Sequence, residues 1–312
     1  MTSLTLARRL ACTTALATLL LIVAGGLVTN TGSALAVPDW PTTFGYSMFT
    51  YPWAAMVGGV FYEHSHRLLG SLVGLLTVGL AAALWRAGGL LRALGLLAVG
   101  AVVLQGIIGG LRVVLLEYRL AVVHGCLAQA YLALIVVIGM LVWPRARGAS
   151  PGLAGDRTLR TLGLVAAAVV YVQIVFGALL THLGLLELHL AGALAVFALV
   201  PVVTARARRA GDSVATPLAI ALLALLGVQL ALGVGAWLVR FTDVVLPGGT
   251  STGLALPVTH RLVGSVILMT AVALALRIRL AGSTTHAVRA AAGSRPQGQP
   301  THATSVLEAS VR

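Results

Sequence analysis

"GVFYEHSHRLLGSLVG", residues 59–74, places a glutamate, two histidines and an arginine at the mouth of an apolar run that continues to Leu84. Ionisable groups beside lipid are costly, so a chain that keeps them there has a use for them. The run around them is one of several. Of the 312 residues, 59% are hydrophobic and 9% charged, whereas a soluble domain is about 25% charged. The composition therefore predicts an integral membrane protein embedded in a lipid bilayer. The net charge of +13 does not mark a nucleic-acid binder, because the arginines lie in short segments between the apolar runs.

Eight spans are predicted: Leu10–Val28, Val60–Leu84, Leu90–Leu111, Leu120–Val142, Leu159–Leu183, Leu185–Val203, Pro217–Leu238 and Leu256–Leu276. Each is close to the roughly 20 residues that cross a hydrocarbon core as a helix. Helices are expected because they satisfy every backbone group within one segment. Arg8, Arg9, Arg86, Arg92, Arg145, Arg147, Arg157, Arg160, Arg206, Arg208, Arg209, Arg277 and Arg279 fall at one set of span ends. The other set holds few: Arg67, Arg112, Arg119, Arg240 and Arg261. By the positive-inside rule both termini are cytoplasmic and the protein is a multi-pass component of the cell (cytoplasmic) membrane. Arg8, Arg9 and the "ALA" at 34–36 resemble a signal peptide, but the first apolar stretch exceeds the usual roughly 7–15 residues of such a leader, which favours a retained span.

Two short matches keep the same order along the chain. "IVAGGLVTNTG" (22–32) resembles "IVFGALLTHLG" (174–184), and Gln105 with Gly109 resembles Gln229 with Gly233. They predict an all-α fold of two pseudo-symmetric four-helix bundles, residues 1–150 and 151–280. The stretch 281–312, rich in small and polar residues, is expected to be a disordered cytoplasmic tail.

His66, His124, His189 and His260 each begin an even-numbered span, so each half supplies two imidazoles at similar depth on different helices. That is the arrangement a haem needs, with an imidazole approaching the iron from either side. The residues four positions on, Gly70, Ala128, Ala193 and Gly264, are all small and leave room for a porphyrin. A lone intramembrane histidine is commonly a helix–helix hydrogen-bond partner; a matched set of four favours haem. Zinc would want further Cys, His or carboxylate ligands, and Cys12 and Cys126 are poorly placed for that. Arg67 and Arg261, in the matching "HRLLGS" and "HRLVGS", are candidates to pair with haem propionates or to snorkel to lipid headgroups.

Glu63 breaks the symmetry. It precedes His66 by three residues, whereas Pro257 and Leu186 stand in that position before His260 and His189. A carboxylate there can exchange protons with a reacting group or pair with Arg67. The asymmetry suggests that one half holds a permanent redox haem and the other performs chemistry.

Glu63-x-x-His66-Arg67, the "QGIIGGLRVV" run (105–114) leading to His124, and "GGLVTNTG" (25–32) followed by "PDWP" (38–41) resemble the haem A synthase family over about residues 10–280. The resemblance implies oxidation of the C8 methyl of haem O to a formyl group by successive hydroxylations, giving haem A for cytochrome oxidase. It implies haem b on His189 and His260, and substrate haem O on His66 and His124 beside catalytic Glu63. Haem O synthase (protohaem farnesyltransferase), cytochrome oxidase assembly factors and an unidentified electron donor are the implied partners. Two departures stand out. The loop "TGSALAVPDWPTTFGYSMFTYPW" (31–53) lacks the cysteine pair of many bacterial members, and the loop after the fifth span is only "HLGLLELH" (182–189). His182 and Glu187 border the latter. The alternatives are a dihaem electron-transfer protein or haem carrier of the same fold, and a repeat-built transporter; the last is disfavoured by continuous spans with no break at the midplane.

Overall fold

The computed structural model describes residues 3–117 and 119–293. Its helices are α1 (Ser3–Asn30), α2 (Gly59–Trp85), α3 (Gly89–Val114), α4 (Arg119–Val142), the short α5 (Pro151–Ala154), α6 (Arg157–Leu183), α7 (Leu186–Arg209), α8 (Ala215–Phe241) and α9 (Gly249–Gly293). Among the described residues, all but α5 are long and apolar enough to cross a membrane. Every predicted span lies within one of them except Leu185, which precedes α7. Large apolar side chains lie exposed along them, such as Leu75 at 72% and Leu194 at 73%. Such surfaces suit lipid as the solvent, so this is a multi-pass membrane protein.

Helix order is cyclic in each half. α1 packs on α2, α2 on α3, α3 on α4, and α4 returns to α1; α6, α7, α8 and α9 repeat the pattern. Buried apolar residues form two clusters, one including Leu80, Leu84, Ile135 and Ile138, the other Leu153, Leu159, Leu222, Leu268 and Ile278. The halves meet where α9 packs on α1 and α4, and where α4 packs on α6. Gln129 donates to Ser265 Oγ (2.9 Å) and the Tyr171 hydroxyl to the Cys126 carbonyl (3.1 Å) across that seam. Hydroxyls with no water to bond return to their own helix. Thr29 bonds the Gly25 carbonyl and Thr181 the Gly177 carbonyl, both at 2.9 Å.

α9 begins at Gly249, ahead of the predicted Leu256. Its first turns, "GTSTGLA", carry little hydropathy, so apolarity alone places the start too late. The helix continues to Gly293, past the boundary assigned to the tail; the rest of that tail, 294–312, lies outside the described residues.

Between α1 and α2 a folded segment carries a two-stranded hairpin, β1 (Thr42–Thr43) and β2 (Tyr46–Ser47), with Thr42 opposite Ser47. Asp39 closes it by accepting from Phe44 N (2.7 Å) and Gly45 N (2.9 Å). Slight burial pushes its carboxyl pKa up, but hydrogen bonds from Gly45, Thr42 and Phe44 outweigh this and hold it below the usual carboxylate value. We call this the hairpin end of the bundle. At the far end a buried ion pair fastens the inter-half linker. Arg277 of α9 donates from Nη2 to Asp212 Oδ2 (2.5 Å) and from Nε to Oδ1 (3.0 Å). Its Nη1 reaches the carbonyls of Ala146 and Gly148. Asp212 also accepts from Val214 N and Ala215 N at the start of α8. Burial pushes the Asp212 carboxyl up, but Arg277 and these donors win and hold it well below the ordinary range.

Arg277→Gln leaves a buried carboxylate unpaired, which costs about 3–5 kcal/mol; the thermal midpoint in detergent is expected to fall accordingly. Because the folded-state pKa of Asp212 is depressed, its stabilisation is full above the unfolded value of about 3.9 and is lost as pH falls below it. An acid titration of stability should therefore separate wild type from Asp212→Asn above about pH 4, with the gap narrowing progressively as pH falls from there toward the lowered folded-state value.

Candidate functional site

The four histidines come together in pairs, one pair per half. His66 of α2 faces His124 of α4, with ring centres 6.3 Å apart and planes at 70°. His189 of α7 faces His260 of α9 at 6.2 Å and 65°. Two imidazoles bonded to one metal from opposite sides, at about 2 Å each, have ring centres about 6 Å apart. Among the described residues no group of three or more His, Cys, Asp or Glu is placed to hold a metal ion. Each pair thus has the ring separation that two ligands of one haem iron would take, and supplies half of the ligands a structural zinc takes. The Nδ1 atoms of His66, His124 and His260 are buried without a hydrogen-bond partner, which a finished structural site does not leave.

Each ring rests on a glycine of the preceding long helix. A Cβ added at Gly25 would lie 3.1 Å from His66 Cε1, at Gly109 3.3 Å from His124 Cε1, at Gly177 3.4 Å from His189 Cε1, and at Gly233 3.0 Å from His260 Cε1. The small residues expected to make room behave differently: a Cβ at Gly70 would meet nothing within 4 Å, and one at Gly264 would meet Gln229 Nε2 at 3.3 Å.

Glutamines sit one turn from three of the seats. Gln105 Nε2 donates to the His124 carbonyl (3.2 Å). Gln173 Nε2 donates to the His189 carbonyl (2.9 Å) and lies 3.2 Å from its Nδ1. Gln229 Nε2 lies 3.2 Å from His260 Nε2. In α1 the matching position is Leu21. The signal for these residues was the Gln-x-x-x-Gly spacing, which puts both on one helix face. Read as a trace of duplication at 105/109 and 229/233, it leaves the third copy at 173/177 unnoticed.

The opening stretch divides its labour by helix face. His66 turns inward, and its polar neighbours hold the hairpin segment. Glu63, 5% exposed, accepts from Arg67 Nη2 at Oε1 (2.8 Å) and from Val37 N at Oε2 (3.0 Å). Arg67 also donates to the carbonyls of Asp39 (2.7 Å), Thr42 (3.0 Å) and Val37 (3.2 Å). His64, 1% exposed, meets Thr43 Oγ1 at 3.1 Å and packs on the Tyr51 ring. Trp40 fills the space a side chain at Gly110 would need, one residue from the seat of His124. Arg67, a candidate for a propionate or a lipid headgroup, bonds here to the hairpin segment and to Glu63. Its sequence counterpart Arg261 instead reaches α1, its Nη1 3.7 Å from where a Cβ at Gly26 would stand.

Comparison with known proteins adds two findings. The family model described as "Cytochrome oxidase assembly protein" (COX15-CtaA) matches residues 8–187. The protein named "Heme A synthase" of Shouchella clausii (strain KSM-K16) is 35% identical over 106 residues, 33% of this chain and 34% of its own. The chain thus matches about a third of the length of that curated relative.

Overpacking a tight contact costs about 1–3 kcal/mol. Gly233→Val is therefore expected to lower the haem retained per chain roughly tenfold, read from the optical spectrum after purification. Gly227→Val, on the same helix with nothing within 4 Å of its Cβ position, should leave it unchanged.

Proposed function

The chain belongs to the cytochrome oxidase assembly protein family, and from that premise we propose that it is a haem A synthase, oxidising the C8 methyl of haem O to the formyl of haem A. The observation that carries this reading is the pair of facing imidazoles in each half, at 6.3 and 6.2 Å. The matching glycine seats and cyclic helix orders support two duplicated four-helix bundles. The arginine distribution supports cytoplasmic termini and a hairpin end that faces outside.

In this reading His189 and His260 would hold a resident haem b. Glutamine amides lie beside both rings, which suits a group that stays. His66 and His124 would hold haem O as substrate, and His66 lacks a glutamine neighbour, which suits a ligand that exchanges. The bound haem supplies the one-electron redox chemistry. The chain's residues position it and control protons. The glycine seats fix the imidazoles, and Trp40 with its segment shields the first site from water. Glu63 is the proton-exchanging group, and it becomes available at Oε1 when Arg67 releases it.

That both Glu63 oxygens are engaged favours one second reading: a dihaem electron-transfer protein or haem carrier of the same fold, in which Glu63 only anchors the hairpin segment. Co-expression with a haem O synthase, in a host lacking its own haem A synthase, separates the two. Extraction and mass analysis should find haem A or its hydroxymethyl precursor, lost in Glu63→Gln while haem b remains. His66→Ala and His124→Ala should likewise abolish product but keep haem b, and His189→Ala and His260→Ala should lose it. Unreacted haem O with haem b, in the presence of a competent electron donor, would support the second reading.

A further inference from the structure

A guanidinium within or beside an apolar helix needs an anion, because an unpaired charge there is strongly destabilising. Three arginines meet this rule among the described residues: Arg67 has Glu63, Arg277 has Asp212 and Arg206 has Asp156. Arg112, Arg240 and Arg261, at the hairpin end, do not. Arg112 closes α3, Arg240 closes α8, and Arg261 follows His260 on α9. Among the described residues none of the three has an ion pair or a side-chain hydrogen bond, and the Nε of Arg112 is buried without a partner. Asp243 and Glu187 at this end form no ion pair with them among the described residues, and the other acids there are engaged elsewhere. Glu63 is within electrostatic reach of Arg112, but its oxygens accept from Arg67 and Val37. Asp39 serves the hairpin and Glu117 accepts from Arg119 N.

These cations converge. Arg112 lies three residues beyond Gly109 and Arg240 seven beyond Gly233, so both continue the helix faces that seat His124 and His260, toward the hairpin end. Arg261 reaches across to Gly26 of α1, in the other half. His182, at the end of α6, is within electrostatic reach of Arg261, Arg112 and Arg240 together. Positive groups from both halves therefore converge at the hairpin end, Arg261 directly after His260, and Arg112 and Arg240 about one and two helical turns beyond the glycine seats.

We propose that Arg112, Arg240, Arg261 and His182 form one carboxylate-binding cluster at the hairpin end, which takes the propionate groups of the haems seated on both histidine pairs. The proposal rests on each pair seating a haem. A haem carries its two carboxylates on one edge, and with that edge toward the hairpin end they meet the unpaired guanidiniums. Arg67 has no part in it. The shared cluster also links the two haems electrostatically, since the carboxylates of one lie in the field that holds the other.

The test uses the full chain, depleted of haem and held in a neutral detergent, titrated with ferric haem b and with its dimethyl ester, which has no carboxylate. Wild type is expected to bind the ester at least about tenfold more weakly, the worth of one charge-assisted hydrogen bond. In the Arg112→Gln/Arg261→Gln variant the free acid should bind no better than the ester, while the low-spin spectrum of the ester complex shows the imidazoles still in place. Should the double variant fail to accumulate, each single variant narrows the difference. Equal binding of both compounds by wild type overturns the proposal, as does a difference that survives the double variant. If adding an anionic phospholipid to wild type abolishes neither compound's binding but protects the protein only while the arginines are present, the cluster serves lipid phosphate and the proposal falls. Absence of any low-spin complex in wild type removes the haem reading itself, a result distinct from the others.

Discussion

An imidazole can stand between two helices only where the neighbouring helix presents no side chain. Four glycines meet that condition here, each within about van der Waals range of a Cε1 atom. Because each glycine lies near one end of its helix and its histidine near the same end of the next, the contact also fixes how deeply consecutive helices overlap. The facing of His66 with His124, and of His189 with His260, follows from these seats together with the cyclic order of helices. Filling a seat would force the ring or its helix to give by a few tenths of an ångström.

On this common frame the halves differ where the chain leaves the helices. In the first, α1 and α2 are joined by a folded segment that Glu63, His64 and Arg67 bind to the helix mouth, and whose Trp40 lies on α3. In the second, α6 ends at Leu183, Gly184 takes a positive φ of 74° as the cap, and α7 starts at Leu186. A tight turn of that kind needs a residue without a Cβ penalty. The first imidazole pair therefore lies under a folded segment held by side-chain hydrogen bonds, and the second lies beneath a two-residue turn with glutamines at its rings. The proposed division between an exchanging and a retained haem rests on this difference.

Much of this was legible in the sequence, for identifiable reasons. Hydropathy located the eight helices, because lipid leaves the backbone no other arrangement. The recurrence of histidine at the start of alternate spans located the two pairs. The direction of Glu63 and Arg67 was not legible, because it depends on where the carbonyls of Val37, Asp39 and Thr42 come to rest after the segment folds. "HRLLGS" and "HRLVGS" read alike, yet Arg67 binds a segment for which Arg261 has no counterpart. The seats at Gly25 and Gly177 were visible as matching letters but not as contacts, since an aligned repeat does not say which helix face meets which. The bond between Asp212 and Arg277 joins residues far apart in the chain with no local pattern to announce it.

The central claim is that each half seats one haem between its two histidines. It is tested most directly by saturating the purified chain with ferric haem, then measuring haem per protein together with the electron paramagnetic resonance spectrum at low temperature. Two haems per chain, both low-spin with two nitrogen ligands, are the predicted result. A single haem per chain, or high-spin iron with one axial ligand, would contradict the account.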